Sequence, residues 1–382
     1  MKKIAIKSSF ISKFSLFIFT VIMLVFQSCR SDWKPGMPLP KEEVKIGAIH
    51  ITDPFMESSG YSYAHQKGIE EMKLNLGLSD SQFSYRTNVD DLDPIHIESA
   101  LRDLIAQGAN IIFATSWGYM DVCEKMAREF PGVVFAHATG HKYNDSNFTN
   151  YFGRVYQARY LSGIVAGMKT KTGKIGFVAA WGKENSEVTG GLDAFAMGVE
   201  KVNPQARIYV KVTQSWYDPM GEATAARSLI AYGCDVIAQH CDTANPQIEA
   251  EKAHIWGIGY NTDMSADAPG AVLTSVIWRW GAYYTSLVQS VINGTFTSTP
   301  WFGSLKDGIV DISPLSGITA WTPEELQTLE EDRQSIESGA FDVFNGRIET
   351  NTGVYIGSEG GNLGDDEIRN GINWYYRTVV EM

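Results

Sequence analysis

From residue 44 onward, short apolar runs alternate with amphipathic stretches, and the alternation starts afresh after residue 152. Such alternation is the mark of parallel sheets covered by helices on both faces. In the first half the strand runs are 44–51, 83–89, 110–115 and 133–138, separated by helical stretches at 61–76, 98–107 and 118–130. Ala64, Ile69, Met72 and Leu76 form one stripe, and Leu101, Leu104 and Ile105 another, as expected of helices that bury one face. The second half reads helix 157–169, strand 174–181, helix 188–202, strand 208–212, helix 221–232, strand 235–240, helix 246–253 and strand 255–260. A strand at 271–278, a helix at 282–292, a run at 301–312, an acidic helix at 323–338 and a Gly-rich tail follow. These late elements need sheets to join, because unpaired strand edges are a liability. The chain is therefore expected to cross between its halves more than once. Its 382 residues also exceed what one core usually serves. The expectation is an α/β protein of two doubly wound lobes, with 44–150 plus 274–300 in lobe 1 and 151–273 plus 301–382 in lobe 2.

The N-terminus carries Lys2, Lys3, Lys7 and Lys13, then an uncharged run from 14 to 26, then Ser28 and Cys29. This is the pattern of a signal peptide, with an apolar run too short for a comfortable permanent span. Phe26-Gln27-Ser28-Cys29 resembles a relaxed lipobox, so residues 1–28 are expected to be removed, Cys29 to be lipidated and 29–43 to serve as a tether. A plain secretory signal is the alternative. Three cysteines remain, Cys123, Cys234 and Cys241. The last two bracket an apolar strand that would hold them roughly 20 Å apart, beyond disulfide reach, so free, buried thiols are expected.

The net charge of −12 is spread along the chain, which gives phosphate backbones little to bind and argues against a nucleic-acid partner. Seven scattered histidines form no metal motif, and neither a P-loop nor a dinucleotide fingerprint occurs; no metal or cofactor is expected. Ligands of open α/β sheets sit beyond the carboxyl ends of the strands. The residues at those positions are Asp53 and Tyr61, Ser116 and Trp117, Trp181, Trp216, Gln239 and Asp242, and Asn261 and Asp263. Aromatic faces with amide and carboxylate groups suit a flat heteroaromatic ring, which wants apolar contact above and below and hydrogen bonds in its plane. Tyr61 and Trp181 are the expected stacking pair. Large aromatics also fill cores, and Trp278, Trp280, Tyr283 and Tyr284 are read as core or crossover packing.

Several ordered blocks carry a resemblance. They include Tyr160-Leu161-Ser162-Gly163 through Met168, Lys171-Thr172-Gly173-Lys174-Ile175-Gly176, Trp216-Tyr217-Asp218-Pro219 and Ile258-Gly259-Tyr260-Asn261-Thr262-Asp263. Together they resemble the basic membrane protein family of bacterial substrate-binding lipoproteins, which includes purine nucleoside binders. The resemblance covers nearly all of the chain after the leader. It implies a type I periplasmic-binding fold, two Rossmann-like lobes joined by three crossovers, that captures a small molecule and delivers it to an ABC permease at the cell envelope. Gly60-Tyr61-Ser62-Tyr63-Ala64-His65 replaces the usual loop after the first strand, and Asn261 stands where an aspartate is expected. These departures change the ribose contacts that the resemblance implies and make a free nucleobase such as adenine a candidate beside a purine nucleoside.

Three other readings remain open. A sugar receptor would use similar aromatic platforms, and a ligand-sensing lipoprotein could share the fold. A serine hydrolase is the distant alternative, since Gly60-Tyr61-Ser62-Tyr63-Ala64 approaches a nucleophile elbow. The polar loop before Ser62 argues against that geometry, and no catalytic residue is expected.

Overall fold

The computed structural model describes residues 33–382, so the expected leader and Cys29 lie outside the described residues. The chain begins β1 (Ile46–Ile49), α1 (Tyr61–Leu76), β2 (Phe83–Arg86), α2 (Pro94–Ala106), β3 (Ile111–Ala114), α3 (Met120–Glu129), β4 (Val134–Ala138) and β5 (Phe148–Gly153). It continues α4 (Val155–Lys169), β6 (Lys174–Ala179), α5 (Ser186–Val202), β7 (Arg207–Val212), α6 (Pro219–Ala231), β8 (Val236–His240), α7 (Asn245–Lys252), β9 (Trp256–Asn261) and β10 (Val272–Trp278). The last part is α8 (Trp280–Asn293), β11 (Trp301–Gly303), β12 (Val310–Ile312), α9 (Pro323–Ser338), β13 (Ile348–Glu349), β14 (Tyr355–Ile356), α10 (Asp365–Asn370) and β15 (Val379–Glu381).

Two sheets organise the lobes. The first has the order β11-β5-β4-β3-β1-β2 and is parallel throughout. The second has the order β12-β10-β9-β8-β6-β7-β15, parallel except for the antiparallel edge strand β12. β1, β3, β4, β5 and β8 are buried along their whole length, which is why all but β5 read as largely apolar runs. The strand order reverses at β1/β3 and at β6/β8. Such switch points open crevices at the carboxyl ends of the strands.

Strand pairing places the lobe boundaries differently from the sequence expectation. Residues 272–278 belong to the second sheet, because β10 pairs with β9, Val276 opposite Tyr260. Residues 151–153 and 301–303 belong to the first, where Phe302 pairs with Phe152. The run at 301–312 is thus two strands, one in each sheet. The chain crosses between lobes after β5, after β10 and after β11. β5 itself was hidden by Thr149 and Asn150, which look like loop residues; their side chains bond to the carbonyls of Thr299 and Lys142. α2 begins at Pro94, four residues earlier than expected, because the Asp93 carboxylate caps the amides of Ile95 and His96. Residues 33–43 do not hang free: Leu39 is buried, and its N–H donates to the Val291 carbonyl at the end of α8.

Each crossover contributes aromatic rings to one cluster. Trp278 stacks on Trp280 at 4.4 Å, Phe152 lies 5.1 Å from Trp278, and Phe302 lies 6.2 Å from Phe152. In lobe 2, α4 and α5 approach until backbone meets backbone. A Cβ added to Gly163 would sit 2.1 Å from the Phe195 carbonyl oxygen, and one on Gly198 2.0 Å from that of Tyr160. The tail beyond α9 wraps lobe 2. Asp193 accepts from the Tyr376 amide at 2.7 Å, and β15 extends the sheet beside β7. α10 then reaches back over the crossovers: Asp365 pairs with Arg154 at 2.6 Å, and Arg369 donates to the Gly140 carbonyl of lobe 1 at 3.0 Å. Cys123, Cys234 and Cys241 are buried and free.

Candidate functional site

The carboxyl ends of the two sheets meet, and the lobes are closed on one another. Ser58 of the loop after β1 donates to Asp267 of lobe 2 at 3.3 Å. Gly60, at φ +100°, lies against the Asp242 carbonyl, where an added Cβ would come within 2.7 Å of its oxygen. That conformation and that proximity both require glycine.

Tyr61, first residue of α1, projects into the junction. Its ring sits edge-on to His65 at 4.6 Å, and His65 stacks on Trp280 at 4.2 Å while its Nδ1 meets the Tyr284 hydroxyl at 2.5 Å. Burial pushes the Tyr61 phenol well above its ordinary range, with further contributions from Tyr151 of lobe 1 and from Glu187, Asp242 and Tyr260 of lobe 2. Tyr61, Glu187 and Asp242 each keep some accessible surface at the junction between the lobes.

Lobe 2 supplies most of the polar groups. Asn261, at φ +67° where β9 ends, donates from Nδ2 to Asp242 Oδ1 at 2.9 Å and leaves its own Oδ1 unpaired. His240 packs edge-on to Tyr260 at 4.4 Å, lies 5.9 Å from the Trp216 ring and approaches Glu187 Oε1 at 3.5 Å, with neither ring nitrogen hydrogen-bonded. Arg159, buried on α4, spends one N–H on the Gln239 carbonyl at 2.6 Å and lies over Tyr260 at 4.1 Å; its Nε and Nη2 have no partner. Trp280 Nε1 and His65 Nε2 are likewise buried and unpaired. Buried polar atoms normally find partners, and the junction between the lobes gathers several that have none. Burial raises Glu187 to about 7, against the pull of Arg159, and raises Asp242 to about 8. It holds His240 well below the ordinary histidine range and lowers Arg159 to about 10.

The structure gathers Tyr61, Asp242 and Asn261 in this network, with Trp216 at its edge through His240. Trp181 is half-buried, just beyond the end of β6 at the β6/β8 switch point. The other expected positions lie elsewhere. Trp117 keeps 60% of its surface exposed at the rim of lobe 1. Gln239 points to the opposite face of its sheet, where its amide is spent on the Thr243 carbonyl and on Gln247. Asp263 is exposed and caps a short turn through the Ser265 amide, and Asp53 turns its own loop through the Phe55 amide. Ser62 is buried in the first turn of α1 and accepts from the Thr52 amide of the preceding loop.

The sequence reading missed His65, Arg159, Glu187 and His240. Period-2 alternation carried the signal for His240, since it must face opposite to Gln239. For Arg159 the signal was a lone cation inside an apolar helix. Two open hollows on lobe 2, of about 530 Å³ beside Lys211 and Met382 and about 370 Å³ beside Tyr160 and Tyr376, contain none of the orphaned atoms. They are surface relief, and the junction between lobes is the candidate site.

Residues 46–340 match the family model of PnrA-like ABC transporter substrate-binding proteins, Bmp. The chain belongs to the Bmp family. A purine-binding protein of Brucella abortus is 33% identical over 345 residues, which cover 90% of this chain and 95% of that protein. A putative ABC transporter glucose-binding protein of Haloferax volcanii is 30% identical, covering 79% of this chain and 73% of that one. Among solved structures, an ABC transporter solute-binding protein from Conexibacter woesei superposes with a TM-score of 0.65 at 20% identity, over 78% of this chain and 98% of that one. This likeness gives the fold, that of type I periplasmic binding proteins. Bmp proteins bind solutes outside the cytoplasm for an ABC permease and are not enzymes, so the serine-hydrolase reading ends here. No helix among the described residues is long and apolar enough to cross a membrane.

Proposed function

We propose that this Bmp protein captures a purine, an adenine-like free base ahead of a nucleoside, and presents it to its permease in the closed state. The observation that carries the reading is the junction between the lobes, where aromatic rings from both sides meet unpaired buried donors and acceptors. Tyr61 from lobe 1 and Trp181 from lobe 2 are read as the two faces of a sandwich around the ring, with Trp216 beside them. Asp242 and Asn261 are read as in-plane partners. Contacts to both lobes favour closure, because the ligand binds the closed form better than the open one. The Brucella relative supports a purine, and the Haloferax relative makes a sugar the second reading. Thermal unfolding separates them: adenine at a hundred times its Kd adds about 2.7 kcal/mol of stability and raises Tm, whereas glucose and pentoses leave it unmoved. The reverse pattern would replace purine with sugar. We further propose that Cys29 carries a lipid that holds the protein to the cell envelope; Cys29→Ser then moves it from the membrane to the soluble fraction, and no change in partition refutes the anchor.

A further inference from the structure

The junction between the lobes gathers acidic groups. Glu187 comes from the first turn of α5, Asp242 from the end of β8 and Glu57 from the loop after β1. Among the described residues no Lys or Arg bonds to Glu187 or Asp242: His240 lies 3.5 Å from Glu187 but is buried beside Arg159, and the Asp242 carboxylate accepts from the Asn261 amide. Arg159 makes no ion pair within 4 Å among the described residues, because its one bonded N–H goes to a backbone carbonyl. Carboxylates confined together without a bonded cation shed charge by taking up protons. A neutral carboxyl group offers an O–H donor beside a C=O acceptor. That pair complements a heterocycle edge where an N–H adjoins a ring nitrogen, and adenine has such edges. An ionised carboxylate would instead face the ring nitrogen lone pair with charge.

We propose that Glu187 and Asp242 hold the purine as neutral carboxylic acids, each donating its O–H to a ring nitrogen and accepting an N–H of the base, so that capture is linked to proton uptake. The inference rests on the purine reading. The titratable groups facing the two acids are Glu57, Tyr61, His65, Arg159, Glu222, His240 and Tyr260. Burial holds both histidines well below the ordinary range and both tyrosines above it. Between about pH 6 and about pH 9 these therefore keep their charge state, and the change falls to the carboxyls. Glu187 lies near 7 and Asp242 near 8. Affinity is then full below that window and falls as pH rises through it, approaching about tenfold per pH unit for each acid that must be neutral.

The test is calorimetric titration of the purified full-length chain with adenine across that range, in two buffers of different ionisation heat. The expected result is weakening above about pH 7 with net proton uptake on binding. Glu187→Gln carries a donor and an acceptor at every pH, so it should remove the share of the pH dependence owed to Glu187 and leave only that of Asp242, and Glu187→Ala should weaken binding throughout. Adenine binding that is flat with pH and takes up no proton overturns the proposal and leaves the purine reading standing. Adenine failing at every pH overturns both. The wild-type buffer comparison decides even if a Glu187 variant does not fold.

Discussion

At the scale of the residue, the site depends on a few side chains in positions that cost stability. Tyr61 is held edge-on to His65 and in turn against Trp280, so its ring is oriented before any ligand arrives. An aromatic ring stacked on a base contributes about 1–3 kcal/mol. Tyr61→Ala should therefore raise the Kd for the purine roughly 5- to 150-fold, and Tyr61→Phe should keep most of the affinity. Calorimetry on the two variants decides it, and equal losses would mean that the hydroxyl rather than the ring face is used. Tyr61, Asp242 and Asn261 were legible as positions at the junction between the lobes because strand ends can be counted from an alternating pattern. Glu187 was not, because an acid in the first turn of a helix has a sufficient local reason to be there. Trp117 misled because a tryptophan after a strand says nothing about which way its loop turns.

At the scale of the element, most strands and helices were visible in the sequence because buried parallel strands have no polar face to disguise them. What could not be read was pairing. Nothing in the composition of 272–278 says which sheet it joins, since both edges offer the same backbone groups. The tail beyond α9, which lies outside the matched family region, was equally opaque. It proves to be a strap, anchored in lobe 2 on Asp193 and, through Arg377, on Glu200, and reaching lobe 1 through Arg369. Because that last contact crosses the cleft near the crossovers, it favours closure. Arg369→Ala removes a charge-assisted bond that contributes about 1.5–3 kcal/mol at most. We expect weaker ligand binding, by about tenfold, and a larger radius of gyration for the ligand-free protein in small-angle scattering. An unchanged radius with unchanged affinity would reduce the strap to decoration.

At the scale of the whole molecule, stability should depend on pH in a way set by buried groups rather than by net charge. Burial raises Glu187 and Glu222 to about 7, Asp242 to about 8 and Asp193 well above the carboxylate range. These acids bind protons in the folded state that the unfolded chain has already released, so their contribution is lost as pH rises toward the folded values. Burial lowers His50 and His137 to about 4, and His65 and His240 well below the ordinary value. They destabilise only when pH falls below about 6.5. From about pH 6.5 to about pH 8 the histidines are silent, and the ligand-free protein should lose stability steadily as pH rises. Urea midpoints in that interval check the sign, and a rising midpoint would contradict it.

The threefold passage between lobes also bears on how the chain is made. The first sheet lacks its edge until residues 301–303 are available, and the second waits for 310–312 and 379–381. Neither lobe can be finished from contiguous chain, so synthesis is nearly over before either has all its strands, and folding must await long loop closures. A polypeptide wired in this order stays unfinished, and so threadable, through most of its passage out of the ribosome, which suits a protein whose work lies on the far side of a membrane.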